Sequence, residues 1–333
     1  MFLLCLCVHF LRNKTDNRLH RITGWILLVW VMQSLKDIIL IWYPTVKYEY
    51  LHHIFVLIDM TAVPTCAFLL FELTHPGSMH LRRALLHEVP YALFLLTYIF
   101  RPSDLVYESA IAYAVIYGLS VMTYILFEIP AYHRRLKQNY SYSKNISLHW
   151  LYVILLFFVF FLAAWSLSSL YYSKLNDTLY YLFICINWSL ISFFINRQEK
   201  VISSLVNAPL VTDVSLPQNG NCKYLSEEQL HQIVVEERLF LNPRLTIIDL
   251  AKALGTNRTY ISKYLNSVLN TTFFDYINQY RLTYAEQLLQ QTKTPIEEIS
   301  TLSGFNSHST FRRSFTKRYG CTPSQYRLQF QQE

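Results

Sequence analysis

Hydrophobic and polar positions follow two different rules along this chain. Up to about residue 200 the apolar residues form long runs separated by short polar segments. Six of these runs, about 22–43, 54–73, 84–100, 109–130, 149–171 and 178–196, have the length a helix needs to cross the hydrocarbon of a bilayer. A further run, Phe2–Leu11, would rise only about 15 Å as a helix, half the hydrocarbon thickness. It has no small-residue cleavage site of the signal-peptide kind. It is expected as a short N-terminal stub, or as the remainder of a first helix that begins upstream.

Beyond residue 225 the apolar residues recur at the helical period. Ser226 with Gln229 forms a capping-box pattern that opens a helix to about Leu241, stopped by Asn242-Pro243. Thr246 is placed to cap a short helix with Ile248, Leu250, Ala251 and Leu254 inward, and Gly255 closes it. Thr256 and Asn257 lead into a second helix with Tyr260, Ile261, Tyr264 and Leu265 inward. A long helix over about 272–292 follows, and then the short-helix, glycine, helix pattern returns. Pro295 starts PIEEISTLSGF, Gly304 ends it, and Ser307 caps a helix with Phe311, Phe315 and Tyr319 on one face. Gly320 closes that helix and Pro323 begins the last turn. Helix, glycine turn, helix is the geometry that sets a second helix into a major groove, and here it is read twice.

Composition sharpens the division. The 333 residues are 53% apolar and 15% charged, with the charge deficit confined to the first half. The fold class expected is all-α: a multi-span transmembrane bundle over 1–201, a linker over 202–224 rich in proline and small polar residues, and a tandem helix-turn-helix domain over 225–333. The net charge of +7 is spread over both halves and says little until it is located. Arg12, Lys14, Arg18, Arg21, Arg82, Arg83, Arg134, Arg135, Lys137, Lys144, Arg197 and Lys200 fall in alternate loops or ends, whereas the intervening loops hold only Lys47, Arg101 and Lys174. Basic loops stay on the cytoplasmic side, so the C-terminal domain is expected to leave the bundle into the cytoplasm. None of the six cysteines, Cys5, Cys7, Cys66, Cys185, Cys222 and Cys321, sits in a CxxC or Cys/His spacing. No disulfide, metal, cofactor or catalytic motif is expected, and the chain is not read as an enzyme.

Ionisable residues inside spans are costly and by default point to function. Glu72, Glu88 and Glu128 lie near inner ends, close to Arg82, Arg83 and Arg134, and are expected in interfacial ion pairs. Lys36, Asp37 and Asp59 lie toward the outer ends. They are expected either as a structural pair between neighbouring helices or as part of an outward pocket that senses a signal. Pro64, Pro90 and Pro130 lie in or at the ends of spans, where a missing backbone donor kinks a helix.

The stretch TIIDLAKALGTNRTYISKYLNSVLNTTFFDYINQYRLTYAEQLL, followed by PIEEISTLSGFNSHSTFRRSFTKRYGCTPSQYR, resembles the AraC/XylS-type DNA-binding domain. The second stretch carries that family's GF, then Ser, Phe, Arg, Phe, Lys, then YG-x-TPS-x-YR. Spans first and this domain last also resembles membrane-bound regulators of the family from Bacteroidetes-type bacteria. The resemblance implies sequence-specific DNA binding and transcription regulation. It transfers no ligand, because the first half is not the sugar-binding cupin of typical members.

On that fold, the base-reading residues expected are Asn257, Arg258, Thr259, Ser262 and Lys263 in the first copy and Ser307, His308, Ser309, Arg312 and Arg313 in the second. Lys317, Arg318 and Arg327 are expected on phosphates, where they position without specifying. The expected partners are double-stranded DNA, a lipid bilayer, a signal ligand of open identity, and a second copy in a homodimer, which the sequence neither requires nor excludes. The expected location is the bacterial cytoplasmic (inner) membrane, multi-pass. Two other readings stay open: a constitutive tethered DNA-binding protein whose spans only anchor, and a membrane transporter or enzyme with an accessory DNA-binding domain.

Overall fold

A computed structural model describes residues 1–12, 18–42, 49–170, 174–198 and 226–331. The expected linker at 202–224, with Cys222, lies outside these, as does the side chain of Asp37. The described residues are helical apart from turns and one isolated antiparallel bridge, Tyr140 with Thr246. They fall into two compact units: Met1–Tyr132 with Leu148–Ser203, and His133–Ser147 with Ser204–Glu333.

The first unit contains α1 (Phe2–Arg12), α2 (Arg18–Trp42), α3 (Glu49–Asp59), α4 (Ala62–Thr74), α5 (Leu81–Phe100), most of α6 (Asp104–Asn139), α7 (Leu151–Leu170) and α8 (Lys174–Arg197). Among the described residues three stretches are long and apolar enough to cross a membrane: Tyr50–Thr74, Asp104–Asn139 and Thr178–Arg197. The first is broken at Met60–Thr61, one turn before Pro64. Proline has no N–H to return to the carbonyl four residues back, and its ring crowds that carbonyl. Pro90 and Pro130, by contrast, lie within continuous helices. At 36 residues, α6 is about 54 Å long and outruns a bilayer's hydrocarbon.

A ladder of polar pairs joins α2 to α3 and α4, which run antiparallel to it. The Arg18 guanidinium meets the buried Glu72 carboxylate at 3.1 Å. Trp30 Nε1 donates to Thr65 Oγ1 at 3.0 Å, Gln33 Nε2 to Thr61 Oγ1 at 2.6 Å, and Lys36 Nζ to Asp59 at 2.7 Å. Glu72 also accepts from the Gly77 N–H at 2.7 Å, which ties down the turn after α4. The carboxylates at the inner ends meet partners other than those expected: Glu72 pairs with Arg18, and Glu128 meets the His75 imidazole at 3.3 Å, an ion pair only when that ring is protonated. Sequence proximity suggested Arg82, Arg83 and Arg134, but helix packing brings an earlier helix and the end of α4 to these carboxylates instead. Aromatic packing fills much of the rest, with His53 stacked on Tyr107 at 3.7 Å and bonded to Tyr98 at 2.7 Å.

The second unit contains α9 (Glu227–Glu236), α10 (Ile247–Ala253), α11 (Arg258–Lys263), α12 (Phe273–Gln291), α13 (Ile296–Leu302), α14 (His308–Tyr319) and α15 (Pro323–Gln331), together with the segment 133–147. Its helix starts follow the polar residues read from the sequence. Ser226 with Gln229, and Thr246 with Asp249, form capping boxes, while Asn257, Thr272 and Ser307 accept from the third N–H of their helices. The two helix-turn-helix copies close alike. Thr256 N–H donates to Ala251 O at 2.9 Å and Phe305 N–H to Ser300 O at 3.1 Å, around Gly255 (φ 63°) and Gly304 (φ 83°). These six-to-one closures over a left-handed glycine satisfy carbonyls that the helix end would orphan.

The two glycines differ in surroundings. A Cβ on Gly255 would meet nothing within 4 Å, whereas one on Gly304 would lie 2.4 Å from the Phe240 carbonyl and 2.7 Å from Leu241 Cα. Gly255→Ala is therefore expected to destabilise the second unit by about 1 kcal/mol, the left-handed penalty alone. Gly304→Ala must also displace backbone, so a larger loss is expected. Hydrogen exchange of α12 and α13 amides in the full-length variants checks this, and equal protection in both would show that the close approach carries no energy.

Candidate nucleic-acid interface

Helix α14 is positioned from behind. Phe311 and Phe315 are fully buried, with Leu282, Ala285, Leu289, Ile299 and Phe305 in the same core. The Phe305, Phe311 and Phe315 rings follow one another at 5.2 and 5.6 Å, and Phe315 meets Tyr319 at 4.4 Å and Tyr326 at 5.4 Å. The Glu286 carboxylate of α12 accepts from Tyr319 Oη at 2.8 Å and from Tyr326 Oη, and so braces α14 and α15 against α12. Burial pushes the Tyr319 phenol above its ordinary range, and the Glu286 bond pushes the same way, which keeps the phenol a donor.

With Phe311, Phe315 and Tyr319 inward, the opposite face of α14 is presented by default. His308, Ser309, Arg312, Arg313 and Lys317 are all exposed. His308 and Arg312 border an open recess of about 460 Å³ with Glu297, Pro323 and Arg327. Ser307 is the N-cap: its Oγ accepts the Thr310 N–H at 3.4 Å and contacts Ser309 Oγ at 2.7 Å. Two of the residues assigned to phosphates already serve the domain. Arg318 donates to Gln279 O at 3.0 Å and Thr283 Oγ1 at 3.3 Å, and the half-buried Arg327 donates to Thr294 O at 2.6 Å. Lys317, the third of these cations, is exposed.

The first copy offers less. Asn257 and Thr259 are exposed and Arg258 is half-buried. Asn257 Oδ1 is occupied as the cap of α11, accepting the Tyr260 N–H at 2.8 Å. Ser262 and Lys263, expected as base readers, are instead buried, at 7% and 8% exposure. Asn266 supplies one physical reason, since its side-chain amide reaches back to Ser262 O at 2.7 Å and Ser262 Oγ at 3.3 Å. After Lys263 the helix widens into a π turn over Tyr264–Val268.

One residue outside every expectation organises this unit. Arg281 of α12 is 1% exposed. Its Nε donates to Phe240 O at 2.7 Å; one terminal nitrogen donates to Ser141 O at 2.7 Å and Asn278 Oδ1 at 3.2 Å, the other to Asn242 O at 2.6 Å and Ser141 Oγ at 3.0 Å. All five N–H donors of the guanidinium are thus matched to acceptors. Its plane also lies 5.8 Å from the Phe305 ring centroid. Burial pulls the guanidinium down to about 9, which still leaves it a cation at neutral pH. A signal was present in the sequence: Arg281 falls on the stripe Ile277, Arg281, Ala285, Leu289, where the other three residues are apolar and buried.

A family model described as a helix-turn-helix domain matches residues 250–329. The regulatory protein SoxS of Escherichia coli is 32% identical over 102 residues, which are 29% of this chain and 95% of SoxS. The virulence regulon transcriptional activator VirF of Yersinia enterocolitica is 34% identical over 102 residues, 31% of this chain and 36% of VirF. Against longer curated relatives such as VirF the match spans about a third of the relative's length. Among solved structures, the C-terminal domain of the two-component response regulator yesN from Fusobacterium nucleatum is 30% identical, covering 30% of this chain and 95% of that one with a TM-score of 0.28. A 32% identical match that takes in 95% of SoxS means that the chain belongs, through its C-terminal domain, to the AraC-type family of helix-turn-helix transcriptional regulators.

Proposed function

We propose that the chain is a membrane-embedded, sequence-specific transcription regulator, with its first unit in the bacterial cytoplasmic membrane and its second in the cytoplasm. The observation that carries this reading is the coexistence in one chain of an exposed basic face on α14 and three helical stretches apolar enough to cross a bilayer. The alternation of basic loops supports the orientation. The polar ladder between α2 and α3–α4 supports it further, since interhelical hydrogen bonds of this kind join helices in lipid, each worth about 0.6 kcal/mol. DNA would be read mainly by His308, Ser309, Arg312 and Arg313, with Lys317 on a phosphate. Arg258 and Thr259 are the readers offered by the first copy.

A second reading, in which the helices only anchor, is favoured by one observation. Lys36 and Asp59, offered as sensing residues, meet each other directly at 2.7 Å with both side chains largely buried. This is the geometry of a structural pair. A reporter that keeps its response to stimulus in a correctly inserted Lys36→Ala, Asp59→Ala double variant would rule this pair out as the sensing site, and identical regulation by the second unit without the first would decide for the anchor.

Genome-wide occupancy of the full-length tagged protein, run beside membrane fractionation, tests the main reading. Discrete sites from a membrane-retained protein are expected; a protein found only in the soluble fraction would refute the embedding. On the duplex so identified, Arg312→Ala is expected to lose about 1–3 kcal/mol and to relax preference at one base pair. Lys317→Ala should weaken all sequences alike and reduce the slope of log affinity against log salt by about one. Ser262→Ala should leave base preference unchanged. Binding titrations at several salt concentrations separate the three, and identical behaviour of Arg312→Ala and Lys317→Ala would collapse the distinction between reader and anchor.

A further inference from the structure

The segment 133–147, the last turns of α6 and the start of the loop that leads to α7, belongs to the same compact unit as the C-terminal helices. It is built into that unit rather than laid over it. Tyr140, Ser141, Tyr142 and Ile146 are all buried, Tyr140 and Ser141 to 1% exposure and Ile146 completely. Tyr140 pairs antiparallel with Thr246, the residue that caps the first helix of the first helix-turn-helix. The Ser141 N–H donates to Leu245 O at 3.1 Å, and the Ser141 hydroxyl donates to the same carbonyl at 2.8 Å. Ser141 then supplies two of the acceptors that surround Arg281, its carbonyl and its hydroxyl oxygen. Lys137 adds a contact 6.0 Å above the Phe274 ring, and His133 closes the loop on Ser147 at 3.0 Å. Asn145, at φ 63°, takes the left-handed turn that this closure requires.

The chemistry of Arg281 makes this loop consequential. A buried guanidinium tolerates no missing acceptors. Phe240, Asn242 and Asn278 serve it from within the DNA-binding helices, but without Ser141 one N–H on each terminal nitrogen would need water. The same guanidinium fixes the Phe240–Asn242 turn and lies against Phe305, which opens the second helix-turn-helix turn. Docking of Ser141 therefore stiffens the element that sets the two helix-turn-helix copies relative to each other. A head whose two reading helices are held ready loses less freedom on binding DNA than one that must be ordered.

We propose that residues 140–147 are a docking strap: in the docked state they complete the cage around Arg281 and raise DNA affinity, and because the strap is continuous with α6 and leads into α7, a rearrangement of those helices releases it. The proposal rests on the DNA-binding reading above but not on the membrane reading.

The test uses the full-length chain carrying Tyr140→Cys and Thr246→Cys, with a protease site placed within 203–224. The directly opposed residues of an antiparallel pair stand about 4.5–5.5 Å apart at Cα, within reach of a disulfide. After oxidation and cleavage the two fragments should stay joined without reductant and separate with it, and single-cysteine controls should separate in both. The DNA probe is a duplex selected from a random pool by the wild-type chain. The oxidised double variant should bind it about tenfold more tightly than the same protein reduced, a coupling within the ordinary range. Comparing the two redox states of one protein cancels any loss of the Thr246 cap. Fragments that separate when oxidised would overturn the docking, and equal or weaker binding of the locked form would overturn the coupling. Two measurements free of the cysteine pair stand beside these. Hydrogen exchange of the wild-type chain should show the 140–147 amides protected, and Ser141→Ala should lower affinity severalfold with the salt slope unchanged. Unprotected amides, or wild-type affinity in Ser141→Ala, would count against the strap. Failure to select any duplex would instead strike the DNA-binding reading, which the cleavage result does not use.

Discussion

A single buried cation carries more of the second unit than any other group. Arg281 sits in the middle of α12, the helix that joins the two helix-turn-helix copies, on the stripe otherwise occupied by Ile277, Ala285 and Leu289. Burying an isolated charge is prohibitive unless each of its donors finds an acceptor. That requirement is met by three backbone carbonyls, one amide oxygen and one hydroxyl drawn from the 240–242 turn, from α12 itself and from Ser141. Elements distant in sequence are thus obliged to meet at one point. Gly304 belongs to the same constraint, since the Phe240 carbonyl that Arg281 holds is the one that leaves no room for a Cβ at Gly304.

From that anchor the exposed face of α14 follows by exclusion. Phe311, Phe315 and Tyr319 occupy the side of α14 that faces α12, Phe305 from the preceding turn packs against them, and Glu286 fixes the far end of α14 through Tyr319 and Tyr326. The residues one step around the helix, His308, Ser309, Arg312, Arg313 and Lys317, have nowhere to go but outward. Their exposure is therefore a consequence of aromatic packing on the other face. The first copy lacks an equal aromatic stripe, its short α11 passes into a π turn, and Ser262 and Lys263 are buried.

The first unit solves a different problem with related chemistry. Its helices are apolar on most sides, so hydrophobic burial alone specifies little about which helix meets which. The polar pairs along α2, from Arg18 with Glu72 to Lys36 with Asp59, supply that register. Each pair is modest in energy, yet a shift of one turn would break all of them together.

Much of this was legible in the residues themselves. Long apolar runs, capping residues and glycines are local signals, and the helix starts at Ser226, Thr246, Asn257, Thr272 and Ser307 follow from them because a cap is satisfied within four residues. The exposed face of α14 was equally readable from the spacing of Phe311, Phe315 and Tyr319. Other features depended on which distant elements meet. Sequence proximity misassigned the partners of Glu72 and Glu128, and it could not show that Ser262 and Lys263 are buried or that Arg318 and Arg327 serve the domain's own carbonyls. Nor could it reveal that a loop between two apolar helices belongs with the DNA-binding helices, because Ser141 and Arg281 lie 140 residues apart. The local pattern determines which face of each helix is apolar; only the folded chain decides which distant acceptors a buried donor must find.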